Sequence, residues 1–236
     1  MSLDKYSFWE VLKHSFSDEV WSIMWPAVTE TLYMVAVSAV ITLVFGILLG
    51  IVLSVISKDG IRPIPVLNET MGAIINCLRS LPQMIMIIVT LPLARALLGR
   101  SYGVNACIIA LAASCIPMFA RLVQGAFVEI SKGKIEAAKS MGSSGVQIVF
   151  RVMLPEALPA IIRAFTVALI GIISMTALAG SFGAGGIGDI AVRYGFNRFQ
   201  HDMLFAAVLV LIIMVQIVQA AGDFFSNLIL RKRHLI

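Results

Sequence analysis

Few side chains in the 236-residue sequence are spaced so that they could catalyse a reaction or hold a cofactor. His14, His201 and His234 are far apart along the chain, and they predict neither a metal site nor a catalytic triad. No stretch matches G-x-x-x-x-G-K-S/T, the loop whose backbone amides cradle nucleotide phosphates. We therefore expect no catalytic residue, no metal and no cofactor in this chain, so that any use of ATP depends on a partner protein.

A glycine-rich run at residues 183–188 reads G-A-G-G-I-G and fits the dinucleotide-binding pattern G-x-G-x-x-G. That fingerprint requires a preceding β-strand and a helix that opens on a pyrophosphate, whereas this run follows a long apolar stretch. We interpret it as flexible backbone at the end of a membrane helix, either where helices approach closely or in a re-entrant turn. A passive turn is the alternative.

The polar segment 128–156 separates two apolar stretches, and its pattern predicts ordered structure. A short helix is expected over about residues 133–141, with Glu136 in its first turns, where the helix dipole favours a carboxylate. Gly142 follows at the position of a left-handed C-terminal cap.

A second short helix is predicted to begin directly afterwards. Ser144 and Gln147, three positions apart, fit a capping box that starts a helix at residue 145. Pro155 is expected to end this helix near residue 153.

Two helices joined by a turn can indicate DNA binding, but here membrane spans are predicted within a few residues on both sides, so nucleic acid is not expected as a partner. Ile135, Ala138 and Met141 mark a small apolar side of the first helix. We expect that side to lie in a groove of a soluble partner protein, as a docking element.

The composition places the chain in a membrane. Hydrophobic residues make up 59% and charged residues 13% of the sequence, and the mean hydropathy is +0.96. A spanning helix needs about 20 mostly apolar residues. The sequence therefore predicts an all-α membrane protein.

Five membrane spans are predicted inside a transmembrane domain that covers residues 26–230. The spans are expected at about residues 28–57, 70–94, 102–124, 158–181 and 203–226. Pro82 should kink the second span. Gly46 and Gly50 form a small-xxx-small pair in the first span, which lets two helix backbones approach closely.

The two ends of the chain differ in character. Residues 1–25 are predicted to form an amphipathic segment in the headgroup region, with a partly ordered tail as the alternative. Residues 231–236 form a basic tail. Because Lys and Arg resist translocation, the tail predicts a cytoplasmic C-terminus, and an odd number of spans then puts the N-terminus outside.

Four charged residues lie in or beside the predicted spans: Glu30, Arg79, Arg121 and Arg163. Most are within a turn or two of a predicted helix end and could extend to the membrane surface. Arg79 lies about ten residues into the second span and is the best candidate for a side chain that faces the helix bundle.

The three cysteines, Cys77, Cys107 and Cys115, lie in apolar stretches without the spacing of metal ligands. Free cysteine behaves as a small apolar side chain and is often buried. We expect all three to be buried.

The polar segment carries a family signature. Glu136-Ala137-Ala138, Gly142 and Leu154-Pro155 fit E-A-A-x3-G-x9-I/V-x-L-P, and the chain thereby resembles the permease subunits of bacterial ABC importers. Val152 stands where isoleucine is usual.

Other stretches resemble the methionine-uptake branch of that family, over about residues 26–223. They are residues 79–82, 120–123, 154–159, 183–188 and 193–196. The resemblance implies the type I importer fold, with five spans and a cytoplasmic coupling helix.

The resemblance also implies roles for individual residues. It assigns coupling to the ATPase to Glu136, Ala137, Ala138, Gly142, Leu154 and Pro155. It places Arg79, Met175, Thr176 and Leu178 along the translocation path.

The partners that the resemblance implies are a second copy of the chain, two copies of a cytoplasmic ABC ATPase and an extracytoplasmic binding lipoprotein. The substrate that the resemblance implies is a small amino acid, with D- or L-methionine as the leading candidate, carried through the bacterial cytoplasmic membrane.

Other functions are weighed against this one. The substrate could be another amino acid or a small peptide. An ion-coupled secondary transporter would need carboxylates near the bilayer centre, and no predicted span has Asp or Glu there. A passive channel or an assembly scaffold would need no ATPase.

Overall fold

A computed structural model describes residues 8–232, and every regular element in that range is helical. The α-helices are α1 (Phe8–His14), α2 (Asp18–Ile56), α3 (Pro65–Ser80), α4 (Gln83–Leu98), α5 (Val104–Val128), α6 (Lys132–Ser140), α7 (Gly145–Ile148), α8 (Leu154–Gly180), α9 (Gly186–Ile190) and α10 (His201–Lys232). Two π-helical turns, Val149–Met153 and Ala191–Phe196, interrupt this series. The all-α prediction is confirmed.

Within the described range, four helices are long and apolar enough to cross a membrane, and there are five spans if the bent pair α3 and α4 counts as one. The second predicted span is therefore broken rather than kinked. Pro82 is the N-cap residue of α4, where a missing N–H costs no hydrogen bond. Leu81 before it is extended, as expected of a residue that precedes proline.

From residue 8 onward, the predicted interfacial segment contains α1 and the first turns of α2. α1 ends at His14, and α2 begins at Asp18 rather than near residue 28. Asp18 and Glu19 lie in the first turn of α2, where the helix dipole favours carboxylates. The part of the predicted interfacial segment before residue 8 lies outside the described residues.

The chain divides into two compact units. The first contains the residues up to 40, 82–113 and 169–218, and the second contains 41–81, 114–168 and the residues from 219 onward. The apolar core of the first unit is built from Val20, Met24, Ile187, Met203 and Ala207, among others. The core of the second unit includes Phe119, Val123, Ala138, Ile148 and Met153.

One helix joins the polar segment to the fourth span. Residues 145–180 form a continuous helix in which the π-helical turn Val149–Met153 links α7 to α8. The prediction that Pro155 ends the second short helix is therefore wrong. Pro155 is the second residue of α8, so its missing N–H falls where the bonding pattern returns from π to α.

Two of the three cysteine predictions are confirmed, because Cys107 and Cys115 are buried. Cys77 is exposed, so the prediction for it is wrong. The buried positions of α3 are Gly72 and Ile75. Cys77 is two residues after Ile75, which is about 200° around a helix with 3.6 residues per turn. Its side chain therefore points away from the buried side of α3.

In the second unit, α2 and α5 approach closely at the small-xxx-small pair. A Cβ atom at Gly46 would lie 2.5 Å from Cδ1 of Phe119, and one at Gly50 would lie 2.6 Å from Cγ1 of Val123. Both distances are below van der Waals contact. The predicted role of this pair in close helix packing is confirmed.

We predict that Gly50→Val lowers the thermal stability of the detergent-purified chain, because its Cβ would also meet the carbonyl oxygen of Ala120 at 2.9 Å. Overpacking of this kind typically costs about 1–3 kcal/mol. Gly125→Ala is the control, since a Cβ there meets nothing within 4 Å. Equal melting temperatures for Gly50→Val and Gly125→Ala would contradict the packing described here.

Candidate functional site

The predicted docking element is a corner formed by residues 132–148, which we call the α6–α7 corner. Gly142 has φ of +78°, the left-handed conformation expected of a helix cap. Its N–H donates to the carbonyl oxygen of Lys139 at 2.9 Å. The capping box is also present: the Ser144 N–H donates to Oε1 of Gln147 at 2.8 Å, and the Gln147 N–H donates to Oγ of Ser144 at 3.3 Å. The predictions made for this turn are confirmed.

The apolar side of α6 faces the chain's own core. Ala138 is 2% exposed and belongs to the core cluster of the second unit, and Ile135 packs against that cluster. The expectation that these two side chains lie in a partner's groove is therefore wrong. An apolar helical pattern indicates that one side of the helix is buried but does not identify its neighbours, and here the neighbours are α7 and the π-helical turn Val149–Met153.

The opposite side of the α6–α7 corner is exposed. Glu136 and Ala137 both lie on it. Within residues 8–232 no hydrogen bond or ion pair holds the Glu136 carboxylate. Met141 is 78% exposed, and Val146 beyond the turn is exposed as well. The surface thus combines an exposed carboxylate with apolar side chains.

Two ion pairs attach α6 to its neighbours. Nζ of Lys132 lies 2.9 Å from Oδ1 of Asp59, in the connection between α2 and α3. Lys134 pairs with Glu156 near the start of α8. Because these pairs are at least partly exposed, each contributes little to stability. They attach α6 to the α2–α3 connection and to the start of α8, within the second unit.

The Lys132 ammonium, by donating to the carboxylate, lowers the pKa of Asp59, and Asp59 in turn raises the pKa of Lys132. The carboxylate's stabilising contribution is present above its unfolded-state pKa and is lost as the pH falls through its lowered pKa. The contribution of Lys132 is lost as the pH rises through its raised pKa. The pair is therefore intact at neutral pH.

The remaining residues of the signature connect the corner to α8. Leu154 and Pro155 are half-buried in the first turn of α8, directly after the buried Met153. Gly145 is close to the α2–α3 connection, since a Cβ there would lie 3.3 Å from Cγ2 of Ile61.

The predicted path residues differ in exposure. Arg79 belongs to the second unit and is exposed in the last turn of α3. Met175, Thr176 and Leu178 belong to the first unit, where Met175 and Thr176 are buried and only Leu178 is exposed. Their place along a translocation path remains a prediction.

Arg121 does not extend to a membrane surface. It lies in the interior of α5, where one guanidinium nitrogen donates to Oε1 of Gln124 at 2.7 Å. The other donates to the carbonyl oxygen of Gly72 at 3.0 Å and to Oδ1 of Asn76 at 3.2 Å. The expectation of an extended side chain is wrong for Arg121. The sequence could not reveal this, because the acceptors on α3 are 45 and 49 positions away.

The glycine-rich run forms a tight turn in the first unit. The Gly186 N–H donates to Oε2 of Glu30 at 2.7 Å, so this carboxylate binds protein backbone instead of reaching for the membrane surface. A Cβ atom at Gly188 would lie 2.5 Å from Cα of Ala177. Close approach of backbones, one of the two interpretations offered for flexible backbone here, is confirmed. Among the described residues, no three His, Cys, Asp or Glu side chains are grouped so that they could hold a metal ion.

Comparison with known proteins identifies the family. Residues 46–234 match the model of the binding-protein-dependent transport system inner membrane component family. The chain belongs to this family. The resemblance drawn from the signature residues is confirmed, and the chain is a membrane component of a transport system.

Relatives and solved structures agree with this assignment. The chain is 38% identical to the probable D-methionine transport system permease protein MetI of Vibrio cholerae, over 94% of this chain and 96% of that protein. It is 40% identical to the methionine import system permease protein MetP of Bacillus subtilis, over 87% of this chain and 93% of that protein.

A chain of the MetNI methionine ABC transporter, solved in inward-facing conformations, has the same fold. Its TM-score is 0.88 at 35% identity, with 91% of this chain and 99% of that chain covered. A crystal structure of an amino acid ABC transporter with histidines matches at a TM-score of 0.74 and 16% identity, over 94% and 99%, which shows the fold alone. The expected permease fold is confirmed.

We predict that Gly142→Val loosens the α6–α7 corner. A Cβ at Gly142 meets nothing within 4 Å, so the cost is purely that of a left-handed φ, about 1–2 kcal/mol. Amide hydrogen exchange over residues 138–148 should then be faster by about 5- to 30-fold. Gly133→Ala, inside α6 and without a positive φ, is the control and should not accelerate exchange. Unchanged exchange in Gly142→Val would contradict the strain assigned to this turn.

Proposed function

We propose that this chain is the permease subunit of an ABC importer that carries methionine, in its D or L form, through the bacterial cytoplasmic membrane. The observation that carries the proposal is the likeness to the chain from the MetNI methionine ABC transporter, which extends over 99% of that chain. The names of the Vibrio cholerae and Bacillus subtilis relatives support methionine as the substrate.

The chain would act with three kinds of partner: a second copy of itself, two cytoplasmic ABC ATPase subunits and an extracytoplasmic binding lipoprotein. The permease itself catalyses nothing. Since its sequence lacks a phosphate-binding loop, ATP hydrolysis must come from the ATPase subunits. The family description supports the need for a binding protein.

The exposed side of the α6–α7 corner is the surface that would meet the ATPase. Apolar side chains such as Met141 and Val146 supply contact area there, and the Glu136 carboxylate supplies a charge for a basic or amide group of the partner. Coupling residues would therefore fall into two groups. Glu136 and Ala137 contact the ATPase, whereas Ala138, Gly142, Leu154 and Pro155 hold the corner in place.

Movement of the corner would pass into the membrane through α8. The corner's second helix is continuous with α8, so a displacement of α7 would pass directly into the start of α8. The π-helical turn Val149–Met153 is where the regular bonding pattern of this helix changes. Met175, Thr176 and Leu178, proposed for the path, belong to the last turns of α8.

The charges of the corner support an orientation with the C-terminus inside. Lys132, Lys134 and Lys139 lie on α6, and Arg231 and Lys232 end α10. Basic residues beside spans favour the cytoplasmic side. We therefore place the corner and the C-terminus in the cytoplasm and the N-terminus outside.

The proposal predicts that Glu136→Lys uncouples the importer. In proteoliposomes with the ATPase subunit and the binding protein, the wild type should take up radiolabelled methionine only when ATP is present. Reversing the charge at Glu136 would place a cation opposite the basic or amide group of the partner, which an anion would bind and a cation would not. Uptake should fall by at least about tenfold, the size of one lost charged contact, while ATP hydrolysis persists.

Glu129→Lys is the matched control. Glu129 is exposed and acidic like Glu136, but it directly follows α5 and lies outside α6, and this variant should transport normally. Normal uptake by Glu136→Lys would contradict the assignment of the docking surface. ATP-independent uptake by the wild type, or an absence of methionine uptake, would contradict the proposed function itself.

A further inference from the structure

Arg121 is part of a cluster of four polar side chains that contains two positive charges and no carboxylate. Its members face each other from two helices of the second unit: Asn76 and Arg79, one turn apart on α3, and Arg121 and Gln124, one turn apart on α5. Gly72 makes room for it, since a Cβ there would lie 3.0 Å from a guanidinium nitrogen of Arg121.

All the acceptors that Arg121 contacts are neutral. They are the carbonyl oxygen of Gly72 and the amide oxygens of Asn76 and Gln124. Its Nε is buried and has no hydrogen-bond partner in the part of the chain that the structure describes. The positive charge is therefore held in place but not neutralised by a carboxylate.

Arg79 adds a second uncompensated charge. It follows Asn76, an acceptor of Arg121, by one turn on the same side of α3, and two like charges in one cluster repel each other. Its side chain is exposed, and no hydrogen bond or ion pair from residues 8–232 engages it. Two neighbouring cations on membrane-spanning helices are unfavourable unless an anion joins them.

The amide groups of Asn76 and Gln124 add hydrogen-bond donors to the cluster. Because the oxygens of Asn76 and Gln124 both accept hydrogen bonds from Arg121, their NH2 groups are left to donate elsewhere. The exposed guanidinium of Arg79 is also a donor only. A group that accepts hydrogen bonds through two oxygens and carries a negative charge fits such a surface, and a carboxylate meets both requirements.

We infer that Asn76 and Arg79, held in place by Arg121, bind the α-carboxylate of the amino acid as it crosses the membrane. The inference rests on the proposed function and adds the chemical group of the substrate that the chain recognises. Arg79 contacts the carboxylate, and Arg121 is a positioning residue that orients Asn76. Binding at such a site must be weak enough for release into the cytoplasm.

The decisive variant is Asn76→Asp, which adds a permanent carboxylate of nearly the same shape between the two arginines. If these cations need an anion, the variant's melting temperature should equal or exceed that of the wild type. The built-in carboxylate should also exclude the substrate. Methionine uptake by the complete importer in proteoliposomes should then fall by at least about tenfold, the loss expected for charged hydrogen bonds. Stimulation of ATP hydrolysis by the binding protein should persist.

Variants at Arg79 provide a second, independent test of the carboxylate site. Arg79→Gln should reduce uptake to a similar extent, whereas Arg79→Lys should retain an intermediate rate because it keeps the charge but loses the fork of donors. Arg163→Gln is the control, since Arg163 is an exposed arginine of the same unit outside the cluster, and its uptake should be unchanged.

The outcomes separate this inference from the proposed function. Wild-type rates of uptake in both Asn76→Asp and Arg79→Gln would overturn the inference while leaving the methionine importer intact. Failure of the wild type to take up methionine would overturn both. The assays are run in vesicles of phosphatidylcholine with and without phosphatidylglycerol. Defects that occur only with phosphatidylglycerol would mean that a lipid headgroup occupies the cluster, and would also overturn the inference.

Discussion

The burial of Ala138 against the core of the second unit is the contact on which the account depends. A helix of nine residues is too short to be stable alone, so α6 depends on the packing of its apolar side against α7 and the π-helical turn Val149–Met153. The same contact decides which residues face outward. With Ala138 turned inward, Glu136 points away from the core, because residues two positions apart in an α-helix are separated by about 200° around its axis, and Ala137 is exposed beside it.

The surrounding features hold this arrangement in place. The left-handed Gly142 reverses the chain, the capping box of Ser144 and Gln147 starts the next helix, and the ion pairs of Lys132 and Lys134 attach α6 on two sides. Each is weak by itself, yet all of them favour the same position. Under the proposed function, a displacement of this corner would pass directly into the helix that follows it.

Local signals in the sequence predicted this region well, because they act over three or four residues. The cap at Gly142 and the capping box are examples. Pro155 was misjudged, since a proline near a helix start is tolerated where a π-helical turn has already changed the bonding pattern. The partners of Arg121 and Glu30 could not be predicted from one sequence, because they lie 45 to 49 and 156 positions away, respectively. The direction of the apolar side of α6 was equally beyond reach, since periodicity does not identify the covering surface.

The central claim is that the outward side of α6 meets an ATPase subunit. It is tested most directly by placing a photoreactive p-benzoylphenylalanine at Ala137, and at Tyr102 as an exposed control in the connection before α5, and irradiating the assembled importer. The account predicts a covalent adduct with the ATPase subunit from position 137 and none from position 102. An absence of adduct from position 137, in an importer that still hydrolyses ATP, would contradict it.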